Sequence, residues 1–250
     1  MDTVVKKKIS MYTEAAYLLG LLFLALGTAF MDLANLGMGM VIVPGYVIFL
    51  KLSQHFSFFT FGTTAYLFQL VLLILLAIAG RKFRLSYLFA FMSAFLFGCF
   101  LDLFELLVLK IPCETLPARI VFYTVGEIFC AWGVSFMFHT YVTPEVYELI
   151  VKEVSRKRQW NINRVKTAYD IASVALGIIL SFSFFGFGRF EGIKIGTLIC
   201  ALINGPMISV CSKANEALFE FKDLLRLRTF FEGIENEGED AGQPDGEADP

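Results

Sequence analysis

At 250 residues, 57% hydrophobic, 18% charged and with 28 phenylalanines, the chain is too apolar for an ordinary soluble domain, which is about half apolar and a quarter charged. Its net charge of −2 conceals a division, because residues 232–250 hold eight acids and no base, and without them the charge is +6. That pattern excludes a soluble globular domain and points to a polytopic protein with a lipid-facing surface and basic loops.

In chain order, residues 1–12 form a basic cytoplasmic N-terminus carrying Lys6, Lys7 and Lys8. The apolar run at 13–34 is too long for the core of a signal peptide, and only "ALG" at 25–27 faintly resembles a cleavage site, so a retained helix is expected. Further spans are expected at about 60–80, 86–109, 119–141, 167–187 and 194–212. Each is long enough to cross ~30 Å of hydrocarbon at about 1.5 Å per residue.

Two connections are more than loops. "NLGMGMVIVPGYVIFLKLS", after the first span, is too apolar for water and too short and Gly/Pro-broken to span. It reads as a re-entrant or interfacial helix. "TPEVYELIVKEVSRKRQW", after the fourth, offers Thr143 as N-cap and Pro144 at the first helical position of an amphipathic helix on the cytoplasmic side. Residues 214–231, "ANEALFEFKDLLRLRTFF", repeat the amphipathic pattern along the inner interface, and the acidic tail 232–250 has the composition of a disordered segment.

The halves 13–110 and 119–213 share a pattern. "FLALGTAFM" at 23–31 and "FCAWGVSFM" at 129–137 agree at five of nine positions, at an offset of 106. Gly80 and Gly186 keep that offset, and Gly98 and Gly205 differ by 107. Three spans per half make the second half enter from the opposite side. The expected fold is therefore an all-α integral membrane protein, six transmembrane helices in an inverted 3+3 repeat with short re-entrant or interfacial helices. With the N-terminus inside, sixteen basic residues fall on the cytoplasmic side and five outside, which orients both termini inward.

Ionisable groups inside spans cost about 2.5–3.5 kcal/mol at the bilayer centre, so they are functional candidates. Asp102 and Glu105 share a helix face toward the outer end of the third span, and Asp32 stands near the outer end of the first. Glu127 lies about two turns into the fourth span, Asn204 near the middle of the sixth, and Gln69 and Asp170 in the middle span of each half. Asp102, Glu127, Asn204, Asp32 and Gln69 are the expected substrate-lining set between the halves, and the four acids Asp32, Asp102, Glu105 and Glu127, from three spans, would make an external-side vestibule attractive to cations or protons. Glu105 reads more simply as a headgroup contact. The Gly-rich "NLGMGM" and "NGPMI" fit either backbone exposed to a ligand or close helix packing.

The five cysteines and two histidines have no metal-ligand spacing, no nucleotide or hydrolase motif is present, and no cofactor is expected. "SRKRQW" reads as an inner-leaflet lipid contact rather than a nucleic-acid site. "ANLGMGMVIVP", "TPEVYELIVKEVSRKRQWNINRVKTAYDIASVALGIILSF" and "GIKIGTLICALINGPMI" together resemble the bacterial YczE/YitT-type polytopic membrane proteins over about residues 14–213. The resemblance implies a bacterial inner-membrane protein and supplies no substrate or catalytic residue. One departure stands out: where relatives carry Ser-Pro or Thr-Pro after the first span, this chain has "GMGM".

The expected function is a small-solute transporter or a transport-associated substrate-binding subunit, with a cation among the candidate solutes. The alternatives are a non-transporting accessory protein that docks a cytoplasmic partner or self-associates and, third, a membrane-embedded enzyme, disfavoured by the missing motifs.

Overall fold

The structure, a computed structural model, describes residues 8–80, 85–142 and 145–224. Six long apolar runs become six helices of membrane-spanning length: α1 (Thr13–Ala34), α3 (Phe61–Gly80), α4 (Leu85–Val108), α5 (Leu116–Phe138), α7 (Ile162–Phe185) and α8 (Ile195–Leu218). Two short helices, α2 (Val43–Leu52) and α6 (Val146–Arg158), follow α1 and α5. Local chemistry sets several ends. Asn35 closes α1 in the left-handed region (φ 52°), and the Thr115 hydroxyl accepts the Ala118 N–H at the start of α5, beside Pro117. Gln159 ends α6 at φ 54°, after Arg156, Lys157 and Arg158 in its last turn.

The centre of the bundle is the antiparallel crossing of α1 and α5. A Cβ on Gly27 would fall 2.5 Å from the Gly126 carbonyl oxygen, and one on Gly20 would fall 2.9 Å from that of Gly133. Only glycine lets two backbones touch in this way. Offset by 106, Gly20 corresponds to Gly126 and Gly27 to Gly133, so each glycine packs on the counterpart of the other.

Outside this pair, α4 lies on α1 and α8 on α5. Near the C-terminal end of α8 the Trp132 indole N–H donates to Asn215 Oδ1 (2.9 Å), and the Asn215 amide donates to Ser135 Oγ (2.8 Å). In the first half α3 packs along α4, with Gly62 against Gly98. The second half differs: α7 and α8 are not packed along each other, and a Cβ on Gly205 would meet nothing within 4 Å.

The short helices enter the bundle. Gly45, in the first turn of α2, faces the Phe68 ring, and the first backbone N–H of α6, on Val146, donates to Gln69 Oε1 (3.2 Å). Phe68 and Gln69 are adjacent near the middle of α3, so both short helices begin close to mid-depth. For α6 this revises the expectation of a helix resting on the inner surface: Val146, Tyr147, Leu149 and Val151 are buried.

The expected amphipathic helix at 214–231 also differs over residues 214–224, the rest of it lying outside the described residues. Its first residues are the last turn of α8, and Phe219–Lys222 is a strand, β2, parallel to β1 (Ile9–Tyr12), with Ile9 opposite Phe219 and Tyr12 opposite Lys222. The "FEFK" alternation explains the change, since Phe219 and Phe221 turn inward while Glu220 and Lys222 face out. Thr13 Oγ1 donates to Asp223 (2.9 Å), and the Leu224 N–H donates to Glu14 (3.1 Å), tying the two chain ends together. Thr143, Pro144, the three N-terminal lysines Lys6 and Lys7 with Lys8 at its edge, and the acidic tail are otherwise a matter of sequence: all but Lys8 lie outside the described residues.

Candidate functional site: a cavity between the short helices

The gap left by α7 and α8 opens a cavity of about 330 Å³ in the middle of the molecule. Thr28 and Met31 of α1 line it on one side, with Glu127 and Cys130 of α5 beside them. Met38 to Ile42, the chain entering α2, and Glu145 and Glu148, at the start of α6, bring the N-terminal ends of both short helices to its wall. Lys166 and Asp170 of α7 and Cys200, Asn204 and Gly205 of α8 complete it. Four carboxyl groups therefore face one ammonium group. Such a cavity favours cations and can exchange protons, while the two helix starts supply partial positive charge for an anionic group.

Glu127 is the most demanding of these residues. It is 2% exposed, and neither carboxylate oxygen has an N–H or O–H partner among the described residues. The thiols of Cys130 and Cys200 stand near it, and that of Cys200, a weak donor, is within reach of its carboxyl. Asn204 Oδ1 is likewise buried without a partner, one residue before the Gly205–Pro206 step that removes a backbone donor from α8. An unpaired buried polar atom costs about 1–3 kcal/mol, more when charged. A ligand is one reason for a fold to keep two of them on one cavity.

Glu145 is held from behind. Gln69, fully buried in α3, donates from Nε2 to Glu145 Oε2 (3.3 Å) while its Oε1 receives the Val146 N–H. Burial pushes the Glu145 carboxyl up to about 8, and the Glu148 carboxylate nearby adds to the shift. Burial also raises Glu148, with Lys166 opposing.

Of the five sequence candidates, the structure brings Glu127 and Asn204 to the cavity and places Gln69 just behind it. The other two stand elsewhere. Asp102 accepts the Gly62 N–H (2.7 Å) and the Thr60 hydroxyl (2.7 Å), so it secures the start of α3 to α4. Asp32 accepts the Tyr46 hydroxyl (2.5 Å) and lies beside Glu105, joining α1, α2 and α4. Burial, then the Asp32 carboxylate, raises the Tyr46 phenol well above its usual range. Glu105, expected at the headgroups, is instead 8% exposed, facing Asp32. Of the four acids Asp32, Asp102, Glu105 and Glu127, the first three therefore stay near one another, with Asp32 and Asp102 both close to Glu105, and Glu127 stands apart on the cavity.

Sequence reading missed Glu145 and Glu148 as cavity residues, because "EVYELIVKEV" has the charge spacing of a surface amphipathic helix. A usable signal was Gln69, a lone amide in the middle of an apolar span that demands a partner. Among the described residues, no three His, Cys, Asp or Glu side chains come together to hold a metal ion.

Six membrane-length apolar helices, four of which line a cavity with carboxyl groups in its wall, are the architecture of a multi-pass membrane protein. Residues 11–213 match DUF6198, a family of unknown function, and the chain belongs to that family. No curated protein and no solved structure matches it.

Proposed function

We propose that this protein is a small-solute transporter, or the membrane-embedded binding subunit of one, in a bacterial inner membrane with both termini cytoplasmic. One observation carries the reading: Glu127 is buried inside the bundle, with no N–H or O–H partner among the described residues, on a cavity that the N-terminal ends of two short helices also reach. Half-helices ending near mid-depth beside a polar cavity are how many secondary transporters build their sites.

The reading includes an inverted 3+3 repeat. Supporting it are the crossed glycine pairs of α1 and α5, the matching placement of α4 on α1 and α8 on α5, and the short helix after the first span of each half. The resemblance to YczE/YitT-type proteins belongs to the same proposal. Sidedness rests on the distribution of basic residues, and the β1–β2 pairing agrees in keeping both chain ends at one face.

Uptake of a cation and amine panel by proteoliposomes tests the function. Wild-type protein is expected to accumulate at least one solute, and Glu127→Gln to lower its uptake at least tenfold, while Asp102→Asn lowers it only as far as it lowers the amount of folded protein. Neither uptake nor binding of any member, or full uptake by Glu127→Gln, would end the proposal, and binding without uptake would leave only the binding subunit.

A further inference from the structure

Glu127 faces a second cavity. On the other side of the α5–α8 contact, a pocket of about 320 Å³ is lined by Leu116, Ile120, Tyr123, Ile199 and Ile203, with Glu127 in its wall. Its volume is that of a small-molecule pocket. Leu116, Ile120, Ile199 and Ile203 are exposed on faces that lipid would cover. The Tyr123 hydroxyl, on a residue 6% exposed, has no hydrogen-bond partner among the described residues. Two buried polar groups on one helix, neither with an N–H or O–H partner among the described residues, thus punctuate an otherwise apolar recess.

We infer that the solute is a lipophilic cation, whose apolar body occupies the recess between α5 and α8 and whose positive centre is taken by Glu127. The inference rests on the cavity being a solute site and narrows that solute. Charge complementarity selects the cation: among the described residues no basic side chain is paired with Glu127, and the central cavity behind it adds Glu145, Glu148 and Asp170 against Lys166. Shape selects the apolar body, because aliphatic side chains make up most of the recess. Glu127 is the point the two cavities share, so a cation handed from lipid to the central cavity passes one carboxylate.

Equilibrium binding of radiolabelled tetraphenylphosphonium to the purified full-length protein in nanodiscs tests this, with tetraphenylborate as a competitor of the same shape and opposite charge. The expected result is saturable binding that tetraphenylborate does not displace. Glu127→Gln should weaken it at least tenfold, as should Ile199→Trp, which fills the recess. Thermal melting of each variant establishes that it is folded, and Ile199→Trp carries the test should Glu127→Gln fail to fold. Wild-type affinity in either folded variant, equal competition by the borate, or no saturable binding would overturn the inference. Binding without uptake would leave it standing and remove the transporter reading. Uptake of a hydrophilic amine without phosphonium binding would do the reverse.

Discussion

Glu145 occupies the residue before a buried helix start, where its side chain has Gln69 on one oxygen and no partner among the described residues on the other. Its ordinary value of 4.5 rises to about 8 in the folded protein because burial disfavours the charged form. The sign of the linkage follows. Below pH about 4.5 both states hold the proton; between there and about 8 the folded state keeps a proton that the unfolded chain has released. Stability therefore falls as pH rises across that window, by at most about 1.4 kcal/mol per pH unit, and levels off above it. Glu148 contributes in the same direction. Thermal melts of purified protein from pH 5 to 8 should show a declining melting temperature, and Glu145→Gln should flatten the decline. An unchanged slope in that variant would mean the carboxyl already ionises at its ordinary value in the folded protein.

At the scale of elements, the glycines divide into those that touch backbone and those that touch nothing. Gly27 lies against the Gly126 carbonyl and the Cys130 backbone, so Gly27→Leu forces α1 away from α5 and should cost about 1–3 kcal/mol or more, read as a fall in melting temperature and in monodisperse yield. Gly205 has open space around it, so Gly205→Ala should gain about 0.5–1 kcal/mol from reduced backbone freedom in a helix. The long helices were legible from hydropathy alone, because an uninterrupted apolar run has no other way to satisfy its backbone in lipid. The depth of α6 was not. Glu145 and Glu148, at its start, face a cavity instead of water while Lys152, Lys157 and Arg158 stay exposed, and periodicity reports that one face is polar without reporting what that face meets. β2 was hidden for a related reason: "FEFK" is four residues long, and its pairing with β1 depends on chain ends more than 200 residues apart. Asp102 shows the converse, an intramembrane acid explained by the start of a neighbouring helix.

The whole molecule is less symmetric than its sequence pattern. α3 closes on α4 through Gly62 and Gly98, whereas α7 stands away from α8, and the central cavity lies in that opening. In the proposed inverted repeat the two halves are chemically alike, so the arrangement held by one is accessible to the other. The alternate state then has α7 closed on α8 and α3 parted from α4, which moves the opening to the opposite face of the membrane. Ala168 and Gly205 are the counterparts of Gly62 and Gly98, at offsets of 106 and 107, and Ala168 is exposed as a residue on an open face would be. In a background lacking the five native cysteines, Ala168→Cys with Gly205→Cys should cross-link on oxidation as the protein cycles. The bond should form faster with a transported solute than without one and should arrest uptake until it is reduced. Failure to cross-link in a protein that transports would show that the α7–α8 opening is permanent, and that access alternates by some movement other than exchange between the halves.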